Sequence, residues 1–282
     1  METETIVEYL APQANQSSLV PSKRRLRILC LHGYKQNATV FKSKTAVLRK
    51  SLDDIADFIY IDAPHIVDEA KGSASWWRAT GDGKEYRGWE TTLDYIRNIF
   101  IKKGPFDGIL GFSQGAVLGS LLCSISSLNS DTSIERGDGY KDISFNFALL
   151  FSGFQSRATV HQSLYPCSSH TDGAESAAAS NNNNNNNDNN NNNNNSNGNR
   201  GASSSSPEVN NHYPFDKITT PSLHVWGKSD ELVAASNCES LSHQFSEPEC
   251  YVHEHGHLMP TSKLDVAHYK TFLLKFFDYY EA

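Results

Sequence analysis

Residues 104–125 read GPFDGILGFSQGAVLGSLLCSI. An apolar strand pattern, FDGILGF (106–112), enters Gly111-Phe112-Ser113-Gln114-Gly115, and a helical pattern, AVLGSLLCSI (116–125), leaves it directly. In that strand–turn–helix context, G-x-S-x-G reads as a nucleophile elbow. The turn is so tight that strand and helix nearly touch, which is why glycine flanks it. Ser113 is thereby held in a strained conformation with its hydroxyl raised above the sheet edge, and the helix N-terminus beneath it favours developing negative charge.

Outward from the elbow, the same alternation repeats. Strands are expected at LRILCL (26–31), FIYID (58–62), FNFALLF (145–151), SLHVWG (222–227) and CYVHEH (250–255). Amphipathic helices are expected over 39–52, 91–102, 231–245 and 262–279, the second stopped by Gly104-Pro105. Short apolar strands alternating with helices imply crossover connections and a mostly parallel sheet of about six strands, covered by helices on both faces. The expected organisation is a polar leader over 1–24 and one α/β domain over 25–282. An Asn/Ser-rich insertion at about 168–212, containing NNNNNNNDNNNNNNNSNGN, interrupts that domain and lacks the apolar surface to offset its ordering entropy.

Composition narrows the function classes. The chain has 282 residues, with 25 Lys+Arg against 32 Asp+Glu, so its net charge of −7 and lack of a basic stripe argue against nucleic-acid binding. No run approaches the ~18 continuous apolar residues of a membrane span. The five cysteines (Cys30, Cys123, Cys167, Cys238, Cys250) keep no metal or redox spacing. With no apolar leader visible, they point to reduced thiols and a cytoplasmic location, the nucleus remaining open.

A serine hydroxyl needs a base to take its proton and an acid to orient that base. Past the elbow, Asp230 in WGKSDELV follows the fifth strand and His257 in HEHGHLMP follows the sixth, in the chain order Ser–Asp–His. Both lie at carboxyl ends of strands, where open α/β sheets build sites. His255 and Asp216 are the rivals; Asp107 begins a strand at the wrong end of the sheet, where a salt bridge would suffice. A zinc site from His253, His255 and His257 lacks a further downstream ligand, so neither metal nor cofactor is expected. Oxyanion donors are expected at the backbone N–H of Gln114 and, in the loop LHGYKQN (31–37), of Tyr34. His32 reads as a loop-holding residue. Trp76, Trp77, Phe154 and Met259 fall after strand ends and are the candidate pocket walls.

LRILCLHGYKQN, the WWRA loop, GPFDGILGFSQGA, LLFSGF, HVWGKSDELV and HGHLMP together resemble the family serine hydrolases (FSH) over most of residues 26–280. The resemblance implies an α/β-hydrolase fold, esterase activity on acyl esters, and a triad on Ser113, Asp230 and His257. Two departures stand out: HEHG precedes His257 where the family usually carries a glycine pair, and the family pattern has no counterpart to the Asn tract. The resulting expectation is a serine hydrolase that cleaves carboxylic esters or thioesters of apolar acyl chains through an acyl-enzyme, with a small-molecule substrate and no integral membrane contact. A peptidase or lipase on the same triad, or a non-catalytic binding protein on this fold, would be the alternatives. Oligomeric state is not legible.

Overall fold

The computed structural model describes residues 24–130, 140–166 and 215–277. The leader (1–24, save Arg24) and the insertion (168–212) lie outside the described residues.

Six strands form one parallel sheet: β1 (Leu26–Leu31), β2 (Ala56–Tyr60), β7 (Gly108–Phe112), β8 (Phe147–Phe151), β9 (Ser222–Gly227) and β10 (Glu249–His253). Their order across the sheet is β10-β9-β8-β7-β1-β2. Every neighbouring pair is parallel, so each connection must cross over a face, and each face must be covered. The period-two pleat divides the strand residues accordingly. Leu29, Leu31, Ile109, Ala148 and Leu150 pack with α3 (Trp89–Lys103) and α4 (Gln114–Ser130). Ile28, Cys30, Leu110, Phe112, Leu149, Phe151 and Val225 pack on the other face. Their partners there are α1 (Ala38–Lys44), α2 (Ala46–Ser51) and α6 (Lys263–Phe277). The remaining helix, α5 (Ala235–Ser242), sends Leu241 into the first core.

In two places the structure differs from the sequence expectation. The single helix over 39–52 is two, broken at Thr45. There the Thr45 hydroxyl bonds the Phe41 carbonyl and the Tyr60 hydroxyl, which ties the break to β2. The stretch after β2 holds two antiparallel ribbons that no pattern announced: β3 (His65–Asp68) with β4 (Ser73–Ser75), and β5 (Arg78–Ala79) with β6 (Tyr86–Arg87). Strands of two to four residues are too short for alternation to show.

β1 has β2 on one side and β7 on the other. The chain therefore leaves β1 one way and returns on its far side, which opens a crevice at the carboxyl ends of β1 and β7.

Candidate active site

The carboxyl edge of the sheet gathers the candidate residues by register. Leu31 pairs with Gly111, Phe112 with Phe151, and Gly227 with His253. Tyr34, Ser113, Asp230 and His257 each follow one of these paired ends by one to four residues. Lys35, Ser113 and Ser152 have φ of 58°, 53° and 47°; among the described residues they are the non-glycine positions in the left-handed region, and each follows the end of β1, β7 or β8. Such strain persists only where its surroundings over-determine it.

Surroundings do so at the elbow. The Ser113 N–H donates to the Phe151 carbonyl at 2.8 Å, and the Ser113 carbonyl accepts from Ala116 and Val117 at 2.8 and 3.0 Å. A Cβ on Gly111 would lie 2.4 Å from the Gly115 carbonyl oxygen, and one on Gly115 only 2.0 Å from that of Leu31. Both glycines are thus required by close backbone approach, one to the helix and one to β1. Ser113 is half-buried.

Asp230 and His257 meet. Asp230 Oδ2 and His257 Nδ1 are 2.7 Å apart, and the Asp230 side chain is fully buried. Its Oδ1 accepts from the Leu232 and Val233 N–H groups, each at 2.9 Å. Burial pushes the carboxyl upward, but the Val233 amide, the His257 ring and the Leu232 amide outweigh it, so Asp230 stays below the usual carboxylate range. The imidazole packs on the Phe112 ring at 4.8 Å, beside Ser113 in sequence. Among the described residues, His257 Nε2 has no hydrogen-bond partner.

The rivals stand elsewhere. His253 is buried, accepts the His255 N–H on Nδ1, and is lowered in pKa by burial and then by His255. His255 and Asp216 are exposed, and Asp216 precedes β9 at the end of the sheet away from the elbow. Asp107 accepts from the Arg24 guanidinium at 2.7 and 3.0 Å and from the Arg27 N–H at 2.7 Å. Among the described residues, no group of three His, Cys, Asp or Glu could hold a metal ion.

The Tyr34 and Gln114 amides sit at matching positions, each three residues beyond the paired Leu31 and Gly111. Neither N–H has an acceptor among the described residues. His32 is a structural residue: its Nδ1 meets the Gly33 carbonyl at 2.8 Å, and its Nε2 accepts the Ala63 N–H at 3.0 Å. That pairing requires the neutral Nδ1–H tautomer, which burial favours by lowering the pKa against the opposing pull of the Gly33 carbonyl and Asp62.

The expected pocket divides. Trp76 and Trp77, 0% and 2% exposed, pack in the core and line neither of the cavities that Met259 and Phe154 line. Trp77 stacks on Tyr86 at 4.7 Å, so the unannounced β5–β6 ribbon is what covers it. Met259 lines a cavity of about 260 Å³ with Phe41, Lys44, Phe112, His257 and Leu258. Phe154 lines a separate cavity of about 430 Å³ between the segment after β8 and α5. Phe41 and Phe112 were not anticipated as walls; the place of Phe112 inside the elbow motif was the available signal.

The family model described as Serine hydrolase (FSH1) matches residues 22–269. "Esterase OVCA2" of Xenopus tropicalis is 30% identical over 288 residues, covering 93% of this chain and 98% of that protein. "Esterase CG5412" of Drosophila melanogaster is 27% identical, covering 89% of this chain and 75% of that protein. Among solved structures, Zea mays acyl-protein thioesterase 2 superposes with a TM-score of 0.54 at 15% identity, covering 90% of this chain and 96% of that one. The Bacillus cereus carboxylesterase gives a TM-score of 0.50 at 12% identity, covering 90% and 91%. The fold is that of the α/β-hydrolases. Among the described residues, no helix is long and apolar enough to cross a membrane.

Proposed function

Because the chain belongs to the serine hydrolase (FSH1) family, we propose that it hydrolyses carboxylic esters or thioesters of apolar acyl chains, with Ser113 as nucleophile, His257 as base and Asp230 as the acid that orients it. The observation that carries this reading is the part-buried Asp230–His257 pair at 2.7 Å, in a chain whose Ser113, next to the Phe112 ring that His257 packs on, is held in the left-handed region. A carboxylate held by two amides on one oxygen presents the other to Nδ1–H. That leaves Nε2 as the unprotonated nitrogen, the tautomer a general base requires.

In the reaction, Ser113 Oγ bonds to the acyl carbon while its proton passes to His257 Nε2. The carbonyl oxygen becomes an oxyanion and takes the N–H groups of Tyr34 and Gln114. Collapse breaks the bond to the alcohol or thiol, which leaves with the imidazolium's proton. Water then repeats the sequence on the acyl-enzyme, releasing the acid and restoring Ser113. The cavity that His257 lines takes its apolar walls from Phe41, Phe112, Leu258 and Met259, which suit an acyl chain, and a cation from Lys44.

Fluorophosphonate labelling with Ser113→Ala alongside tests the reading. Wild type should label and turn over p-nitrophenyl esters; the variant should do neither, with a loss of roughly 10⁶-fold as in comparable triads. A folded wild type that does not label would overturn it, and a series of acyl lengths would then be moot.

A further inference from the structure

We propose that Gln114 and Trp76 are positioning residues: through the segment 74–77 they set the separation of the two oxyanion donors. The inference rests on the oxyanion reading given above. Ladder pairing between β1 and β7 ends at Leu31 and Gly111, three residues short of both donors. Beyond that point the two segments touch directly only by close packing, Gly115 against the His32 carbonyl and Gly33 against Phe112, and the hydrogen-bonded link between the Tyr34 loop and the elbow runs through residues 74–77.

The segment grips the first donor from both sides. Before Tyr34, the Trp76 indole N–H donates to the His32 carbonyl at 2.8 Å, with the two rings 5.1 Å apart. After it, the Lys35 N–H donates to the Ala74 carbonyl at 3.0 Å and the Ala74 N–H to the Gln36 carbonyl at 2.8 Å. Lys35, held in this way, is one of the strained left-handed residues.

The second donor is gripped by its own side chain. Gln114 Oε1 accepts the Trp76 N–H at 3.0 Å, and Gln114 Nε2 donates to the Trp77 carbonyl at 2.9 Å. Oriented this way, the amide fills both the donor and the acceptor that residues 76 and 77 present; an aliphatic side chain would leave two buried backbone groups unpaired. Gln114 is 9% exposed and Trp76 and His32 are 0%, so water does not compete for these bonds. A planar ester makes no demand on the separation of the two N–H groups, whereas an oxyanion formed between them does. The bridge therefore acts on the transition state more than on substrate binding.

Trp76→Phe removes the indole N–H and leaves a smaller aromatic ring; Gln114→Glu keeps an acceptor for Trp76 and loses the donor to Trp77. Should the first not fold, the second carries the test. Ser120→Ala, on the same helix as Gln114, loses a buried hydrogen bond to Tyr165 and is the control for destabilisation alone. Steady-state kinetics on a p-nitrophenyl ester are to be read with inhibition by an alkyl trifluoromethyl ketone, whose tetrahedral adduct with Ser113 carries an oxyanion. In the bridge variants kcat should fall about 10- to 100-fold, the scale of a misplacement near 1 Å. KM should move less than about threefold, the ketone Ki should rise by the same factor as kcat/KM falls, and the control should keep both. Variants with wild-type kcat and ketone affinity, or a loss confined to KM, would overturn the bridge while leaving the triad reading intact. A wild type inert to fluorophosphonate would take both down.

Discussion

At the residue scale, the chemistry turns on one proton's address. Asp230 keeps its charge below the usual carboxylate range because the Val233 and Leu232 amides and the His257 ring outweigh its burial. It is therefore an acceptor throughout the working pH range, and Nδ1 of His257 carries the hydrogen. In Asp230→Asn the side-chain oxygen would still accept from residues 232 and 233, turning an NH₂ toward Nδ1. The imidazole would then hold its proton on Nε2 and could not take that of Ser113. Loss of kcat by about 10⁴-fold is expected, with little change in Tm, since the loop keeps its bonds. Near-normal turnover in that variant would remove Asp230 from the acid's role. Ser113, Asp230 and His257 were legible as candidates because each follows a recognisable strand in the order this chemistry requires. Where Trp76 and Trp77 pack was not legible, for the complementary reason. Aromatic type and position after a strand are the same for a pocket wall and a core residue, and only the neighbours decide.

At the scale of the element, α4 is placed by backbone contact as much as by side chains. Gly115 lies so close to β1 that a Cβ would meet the Leu31 carbonyl oxygen at 2.0 Å and that of His32 at 2.7 Å. The Leu31 oxygen belongs to a strand fixed by the ladder to β7, and the His32 oxygen is held by the Trp76 indole N–H, so neither can rotate away. Gly115→Ala should therefore cost at least about 3 kcal/mol, the upper range for overpacking, and should part the elbow from the loop after β1. Urea denaturation against Gly81→Ala, where an added Cβ meets nothing within 4 Å, measures this. Equal midpoints for the two variants would disprove the close-contact argument. Long elements were readable because a helix or buried strand repeats its signal. The break at Thr45 was not, since it depends on Tyr60 reaching a hydroxyl from another strand. The ribbons between residues 65 and 87 hold too few residues for any period to register.

For the whole molecule, the buried histidines make acid stability a collective property. Burial pushes His161 down to about 4 and His224 to about 3, from an ordinary 6.5. Folding favours their neutral forms, so their contribution is complete above pH 6.5 and is withdrawn as pH falls through that value, where the unfolded chain begins to bind protons alone. At 1.36 kcal/mol per pH unit, each withdraws about 2 kcal/mol between pH 6.5 and pH 5. His32 and His253 shift in the same direction, also through burial. The depressed carboxyl of Asp230 acts only at lower pH, below its ordinary value of 3.8. Chemical denaturation at pH 7 and pH 5 should show a marked loss of stability; a flat response would mean that these rings are not held neutral.

The amino-acid sequence by itself determined the parallel sheet, the elbow and the order of the candidate triad. These rest on covalent adjacency and on the two periods, 2 and 3.6, that strands and helices impose on their own residues. The tertiary structure alone decided which aromatics close the core, where the cavities lie, and how residues 74–77 join the loop after β1 to the elbow. Each of those depends on side chains meeting across long separations in the chain, such as Gln114 with Trp76 and Asp230 with His257. No local pattern encodes such a meeting, because it exists only once the sheet has set the register of its strands.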